Sequence, residues 1–335
     1  MIDRKERIEE EKEEEQIIKA AEIIKGGGIV AFPTETVYGL GANAFDEKAV
    51  RKIFELKGRP QDNPLIVHIC SLDDLNIVAS NIPDKAYKLI ERFWPGPLTL
   101  VLTRNPSVPD IVSSGLTTVA VRMPSHPVAL KLIRYAGTPI AAPSANPSGK
   151  PSATKPEHIK HYFGEKVFIV EGQTEIGIES TVLDMTSDQI VILRPGGLEL
   201  EKIREVLKED IFIKTSDLPK SPGMKYPHYK PQLYFIVIGE RRNISELKKL
   251  LKPKAKILYV ATYDIPEDIK SELKKVYNID FILAGSDEKE IARNFFDILI
   301  TKSKGYDIMV FESVQEKGVG LGIMNRLKKA ADIII

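Results

Sequence analysis

The chain has 335 residues, 43% of them hydrophobic, a formal net charge of +1 and a single cysteine. That length predicts two domains or one large one, with ample apolar content for packed cores. The near-neutral charge argues against an obligate nucleic-acid binder. One cysteine excludes an internal disulfide or a zinc site built on several thiolates, and no apolar run approaches the roughly 20 residues of a membrane span. The charged opening is read as lacking a secretory signal, so a cytoplasmic location is expected.

Residues 1–16 are mostly charged and predict a solvated helix or a frayed arm. Residues 17–24 read as a helix closed by the glycines at 26–28. A short apolar run, 29–32, then meets Pro33, a hydroxyl-rich turn with Thr34 and Thr36, and Tyr38 followed by glycines at 39 and 41, the pattern of a strand delivering polar groups to a close-approach site. From Asp46, a good N-cap, apolar residues recur at helical spacing through Ala49, Val50, Ile53, Phe54 and Leu56 until Gly58 stops the helix. Lys57 and Arg59 straddle that stop, and the loop GRPQDNP, which carries Asn63, returns into a second apolar run, 65–69, with His68 among apolar neighbours.

A lysine beside an arginine suits a polyanion, the one as a compact movable charge and the other as a planar fork. Taken alone, Lys57 equally fits a helix C-terminus, where it meets the last carbonyls and the macrodipole. His68 alone fits a packed core histidine, and Cys70 is expected to be a buried, inert thiol.

Further along, Ser71 with Asp74 predicts a capped short helix, and another helix runs over 84–93 before the break at WPGP. Strands are expected at 98–102 and 118–121, a helix at 126–135, a buried strand at 139–142, and a helix at 156–163 opened by proline. Residues 167–170, 181–185 and 190–193 complete a strand-rich section. Two arginines, Arg122 and Arg194, close strands that a proline then stops, where each could reach an anion or make a surface ion pair. Between them the loop PSANPSGKPSAT, 143–154, offers Ser144, Asn146, Ser148 and Ser152 without bulk, which suits a phosphate or ribose as well as an ordinary surface loop.

Periodicity disappears over 208–232, a stretch with four prolines, Tyr226 and Tyr229, too long for a common structureless loop and so a linker or a lid. Regular alternation follows, with strands at 233–238, 257–261, 279–283 and 308–311 separated by helices at 244–251, 267–276 and 288–301, a small parallel α/β unit. Its GVGLG, 318–322, superficially fits a dinucleotide fingerprint, but no acidic second-strand partner follows. No Walker phosphate loop, kinase catalytic loop, nucleophile elbow or HExxH motif is found.

The segments PTETVYGLG, KGRP with the later NPL, and PSAN closely resemble the YrdC-like family, the L-threonylcarbamoyl-adenylate synthases. The likeness covers most of the first two hundred residues, and the tail resembles the long form with an extra C-terminal domain. It implies an α/β fold, a YrdC-like twisted mixed sheet with helices over 1–207, a linker or lid at 208–232, and a smaller Rossmann-like parallel α/β domain at 233–335. The family's Lys-x-Arg and Ser-x-Asn fall on Lys57, Arg59, Ser144 and Asn146. The resemblance further assigns Thr36, His68, Arg122, Ala142 and Thr181 to an L-threonine pocket. It assigns Arg59, Asn63, Thr118, Ser144, Asn146, Ser152, Arg194 and Tyr229 to the nucleotide, and it gives Lys57 and Arg59 the catalytic part.

What it implies is adenylation of a threonine carbamate by ATP, with bicarbonate as co-substrate, Mg2+ accompanying the ATP, and no resident metal or membrane. A downstream transferase would use the product to modify tRNA, and direct tRNA contact is left open. The family's long forms often read KYRHY in the linker, where this chain has KYPHY. An RNA-binding or regulatory module of the same fold, with Lys150, Lys155, Lys160 and Lys166 lining a basic surface, is the other reading.

Overall fold

Two sheets organise the computed structural model, which describes residues 4–209, 211–213, 229–239 and 243–335. Strands of the first are β1 (Val30–Phe32), β2 (Gly39–Asn43), β3 (Ile66–His68), β4 (Ala79–Ser80), β5 (Leu98–Arg104) and β6 (Thr118–Arg122). They continue with β7 (Ile140–Ala141), β8 (Phe168–Ile169), β9 (Thr181–Asp184), β10 (Val191–Arg194) and β11 (Phe212–Ile213). Their order is β11-β10-β9-β5-β6-β3-β7-β2-β1-β8, with β4 paired to β5. The sheet is mixed: β3 runs parallel to β6 and β5 to β9, whereas β2, β7 and β3 alternate in direction.

Helices α1 (Arg4–Lys25), α2 (Glu47–Lys57), α3 (Leu72–Val78), α4 (Asp84–Phe93), α5 (Asp110–Ser113), α6 (Pro127–Ala136), α7 (Pro156–Phe163) and α8 (Leu200–Leu207) accompany this sheet. The charged opening is helical from Arg4. Ile17, Ala20, Ala21 and Ile24 recur at i, i+3, i+4 and i+7, and they are buried with Ala129, Leu132, Ile133 and Ala136 of α6. In α2 the carboxylate of Asp46 accepts from Lys48 N at 2.9 Å and Ala49 N at 3.1 Å, and Gly58 closes the other end at φ 60°. Ser71 and Asp74 form the expected capping box on α3. Cys70 is half-buried rather than buried, and burial together with Asp74 pushes its thiol up to about 11, away from the reactive thiolate.

The second sheet is wholly parallel. Its strands β12 (Tyr234–Ile238), β13 (Lys256–Ala261), β14 (Asn278–Leu283), β15 (Ile308–Glu312) and β16 (Ile333–Ile334) stand in the order β14-β13-β15-β12-β16. Helices α9 (Ile244–Leu250), α10 (Glu267–Lys274), α11 (Glu288–Asp297) and α12 (Val319–Ala330) link and flank them, as parallel neighbours require. Beyond α11 the chain widens into a π-turn, Ile298–Lys302, that buries Ile298, Leu299 and Ile300. GVGLG opens α12 as a packing feature: a Cβ on Gly320 would stand 2.1 Å from the carbonyl oxygen of Gln315. Among the described residues no helix is long and apolar enough to cross a membrane.

Candidate active site

Strand register does the first positioning. Because β3 and β6 are parallel and in step, His68 and Arg122 sit side by side where both strands end. A backbone bridge joins Gly39 to Ser144, and Leu40 N donates to Pro143 O, Ala145 N to Tyr38 O and Tyr38 N to Ala153 O. The PSAN loop is thereby stitched along the hydroxyl-rich turn. Side-chain bulk at Gly39 would come within 3.0 Å of the Phe32 ring, so the small residue there has a packing reason. Ser148 N donates to Lys57 O, tying the end of α2 to the same loop.

Two adjoining clefts result. The first, about 390 Å3 with its open mouth, is lined by Thr34, Tyr38, His68, Arg122, Ala142, Ser144, Glu179, Ser180 and Arg194 among others. Arg122 donates to the Thr36 hydroxyl at 2.8 Å and to Gly96 O at 3.3 Å. Its guanidinium also lies 2.6 Å from the buried Glu35 carboxylate, a charge contact without hydrogen-bond alignment. His68 is buried, and desolvation together with Arg122 lowers it to about 3, so it is a neutral imidazole near pH 7.

The second cleft, about 360 Å3 with its open mouth, is lined by Lys57, Arg59, Asn146, Ser148, Lys150, Ser152 and Tyr229, and shares Ser144, Glu179 and Arg194 with the first. Lys57 donates to the carbonyl oxygens of Ser144, at 2.5 Å, and of Asn146. Burial and then Arg59 press its pKa well below the ordinary lysine value, against the pull of Glu179. Arg59 holds its own loop through Asn63 O and Pro64 O at 3.2 and 3.1 Å, and burial with Arg194 lowers it to about 9, still protonated near pH 7. Arg194 is lowered too, by burial first, and donates to Ser180 O and Oγ. Three buried basic side chains thus converge on a cleft whose one acidic lining residue, among the described residues, is Glu179. Such a set is stabilised by a polyanion, which restores the interactions that burial removes.

Glu179 is the wall between the clefts. Its carboxylate accepts from Ser152 Oγ at 2.6 Å and from Arg326 Nε at 2.9 Å. Burial alone would raise its pKa, but Arg326, Arg194 and the Ser152 hydroxyl outweigh it and hold the group at about 2. Tyr229, at φ 67°, packs its ring on Phe296 at 5.4 Å, and burial beside Glu179 pushes its phenol up to about 12.

Not every expected residue reaches the clefts. The Thr181 hydroxyl donates to Leu198 O at 2.6 Å and accepts from Leu198 N, while its neighbour Ser180 lines the first cleft instead. Thr118 is half-buried at the start of β6, opposite Thr103, and lines neither cleft. Asn63 is buried behind Arg59, and its amide makes no hydrogen bond among the described residues. The linker residues Met224, Tyr226 and His228, and with them residues 221–228 of the expected lid, lie outside the described residues. Glu35, Glu179, Ser180 and Arg326 were not singled out by the sequence reading. For Glu179 and Ser180 the signal was an acid and a hydroxyl directly before the strand that Thr181 begins. For Arg326 it was an arginine on the apolar stripe of its helix.

Comparison with known proteins agrees with this architecture. Residues 22–196 match the family described as Telomere recombination, which groups Sua5, YciO and YrdC proteins, and residues 198–332 match the threonylcarbamoyl-AMP synthase C-terminal domain. The chain therefore belongs to the Sua5/YciO/YrdC family, in its two-unit form. It is 48% identical to the threonylcarbamoyl-AMP synthase of Pyrococcus abyssi over 99% of this chain and 97% of that one. To the Bacillus subtilis threonylcarbamoyl-AMP synthase it is 44% identical over 94% and 93%. The crystal structure of P. abyssi Sua5 complexed with L-threonine superposes with a TM-score of 0.86, at 48% identity and 95% coverage of both chains.

Proposed function

We infer that the chain synthesises L-threonylcarbamoyl-AMP from L-threonine, bicarbonate and ATP, releasing pyrophosphate, as a nucleotidyltransferase in the threonylcarbamoyladenosine modification of tRNA. The observation that carries this is the shared wall: a cleft with Arg122, His68 and hydroxyls adjoins a cleft with Lys57, Arg59 and Arg194, and Ser144, Glu179 and Arg194 belong to both. A small amino acid in the first would meet the α-phosphate of a nucleotide in the second. The relative crystallised with L-threonine supports the first assignment.

In this reading the threonine carboxylate joins Arg122 beside Thr36, His68 and Ala142, and Ser180 replaces Thr181 at the pocket wall. The amine combines with bicarbonate to give a carbamate and water. A carbamate oxygen then attacks the α-phosphorus, and the bond to the β-phosphate oxygen breaks as pyrophosphate leaves. Such a step depends on alignment and charge neutralisation, which Lys57, Arg59 and Arg194 supply, while Ser144, Asn146, Ser152 and Tyr229 contact the nucleotide and Asn63 and Thr118 act from its margin. Mg2+ would accompany the phosphates and lend them charge neutralisation.

The chain divides at 208–232, where the described Tyr229 lines the nucleotide cleft, and the enzyme works in the cytoplasm beside the transferase that consumes its product. The RNA-binding reading is weaker, because the ammonium of Lys155 is already tied to Asp297 at 2.8 Å and the net charge is +1. Pyrophosphate release with each substrate omitted in turn tests the proposal. Release only when threonine, bicarbonate and ATP are all present is expected; release independent of threonine would overturn it.

A further inference from the structure

Glu179, the acid common to both clefts, is held from the other sheet. Arg326 of α12 is fully buried and donates through Nε to one carboxylate oxygen at 2.9 Å, while the other oxygen accepts from Ser152 at 2.6 Å. The remaining Arg326 donors reach Pro195 O, Gly322 O at 3.0 Å and Glu179 O at 3.5 Å, and its guanidinium stands 5.9 Å from the Tyr229 ring. One arginine of the second unit therefore contacts the acid, its backbone and the aromatic wall of the nucleotide cleft.

Docking around this contact is tight at backbone distance. Gly177 has φ +83°, and a Cβ there would lie 2.4 Å from Ala292 O and from Arg293 Cα on α11. On the other side, a Cβ on Gly322 of α12 would come 2.8 Å from Ile178 Cδ1 and 3.1 Å from Gly196 O. Arg293 Nε also donates to Glu175 O at 3.1 Å. The segment carrying Glu179 is thus gripped between α11 and α12, and Gly322 of GVGLG supplies the close approach on the α12 side.

We propose that Arg326 is a positioning residue that assembles the nucleotide cleft from the second unit by engaging the Glu179 carboxylate, together with Ser152, so that it does not pair directly with the phosphate-binding side chains beside it. Groups facing Glu179 are Arg194 from β10, Arg326 and Lys329 from α12, Tyr229 from the segment before β12, Lys57 from α2, and the Ser152 hydroxyl. With Arg326 gone, the buried carboxylate would turn to Arg194 and Lys57, the charges that the triphosphate needs, or would take up a proton. Truncating one partner of a buried pair leaves the other uncompensated, so its effect is large and falls where that charge then goes.

The experiment uses the full chain with Arg326→Gln, Arg326→Lys, Glu179→Gln and the double variant Arg326→Gln/Glu179→Gln. Dissociation constants for ATP and for L-threonine are measured separately by calorimetry across pH, with thermal melts alongside. Arg326→Gln is expected to weaken ATP about tenfold or more while threonine changes by less than about twofold. The loss should shrink as pH falls and Glu179 protonates, and adding Glu179→Gln should restore much of the ATP affinity by removing the competing charge. Unchanged ATP affinity, an equal loss for both ligands that tracks the melt, or no rescue in the double variant would each overturn the proposal. If Arg326→Gln does not fold, Arg326→Lys, which keeps charge but loses the fork, carries the same ATP-selective expectation. The proposal builds on the function inferred above, yet its readout is ligand binding: a chain that follows this pattern but releases no pyrophosphate would refute that function alone.

Discussion

Lys57 Nζ lies 2.5 Å from the carbonyl oxygen of Ser144, joining the end of α2 to the loop that walls both clefts. The ammonium therefore has two duties, holding that loop and presenting charge. Lys57→Met, which keeps most of the stem and removes the charge, should slow pyrophosphate release by about tenfold for every 1.4 kcal/mol of transition-state stabilisation lost. Arg59→Ala should do the same and also free the carbonyls of Asn63 and Pro64. Steady-state rates with saturating threonine, checked against circular dichroism for folding, decide this. Wild-type turnover in both variants would remove these residues from the chemistry.

The buried imidazole of His68 gives a pH prediction. Its folded pKa is about 3 against an ordinary 6.5, so between those values the unfolded chain binds a proton that the folded chain does not. Its stabilising contribution is complete above about pH 6.5 and is lost as pH falls toward 3, at up to about 1.4 kcal/mol per pH unit. His126, lowered by burial, acts in the same direction and keeps the slope from vanishing when His68 is replaced. Melting temperatures from pH 7 to 4 should fall less steeply for His68→Gln than for the parent. Identical slopes would show that the imidazole is not held neutral.

The elements that sequence displayed best are those whose burial has one period. Helix α2 announced itself through Asp46, Gly58 and the spacing of Ala49, Val50, Ile53 and Phe54, and the structure buries those four. The parallel second sheet was equally visible, since its central strands are continuous apolar runs. Side-chain destinations were harder to read. Thr181 and Ser180 are adjacent hydroxyls with opposite faces, and only strand register decides that Thr181 meets Leu198 while Ser180 meets the cleft. Arg326 shares a stripe with Ile323, Leu327 and Ala330, all buried, but its partner lies 147 residues earlier, a distance no local pattern spans. GVGLG read as a feature of α12 alone becomes intelligible only when Ile178 and Gly196 are seen pressing on Gly322.

The hydroxyls of Thr181 and Ser180, on opposite faces, separate stability from selectivity. Thr181→Val removes two hydrogen bonds to Leu198 and leaves that buried backbone unpaired, at a cost of roughly 1–3 kcal/mol, without touching the first cleft. It should lower the melting temperature while the KM for threonine stays near the parent value. Ser180→Ala should instead raise that KM, because the hydroxyl that bonds Thr99 at 2.7 Å and Arg194 at 3.2 Å also fronts the cleft. Parallel titrations of threonine and valine against both variants distinguish the cases. A raised threonine KM in Thr181→Val with unchanged melting would return Thr181 to the pocket.

Two glycines offer a measurement of how strongly the units depend on each other. Gly58 and Gly177 both adopt positive φ, 60° and +83°, so alanine at either position costs about 1–2 kcal/mol in backbone strain. Their surroundings differ. A Cβ on Gly58 meets nothing within 4 Å, whereas one on Gly177 would be driven to 2.4 Å from the backbone of Ala292 and Arg293. Backbone of a packed helix cannot swing aside as a side-chain tip can, so α11 must move away from the Glu179 segment or the overlap must be absorbed as strain, a further cost of about 1–3 kcal/mol. Gly177→Ala should therefore melt lower than Gly58→Ala, and it should weaken ATP binding, since the displaced helix takes Phe296 from beneath Tyr229. Gly58→Ala moves none of these contacts, although strain beside Lys57 and Arg59 can alter ATP binding locally. A protease-resistance pattern gives an independent reading: Gly177→Ala is expected to expose cleavage sites between the two sheets that Gly58→Ala leaves protected. Equal melting temperatures and equal protection would mean that contact between α11 and the Glu179 segment contributes nothing to holding the units together.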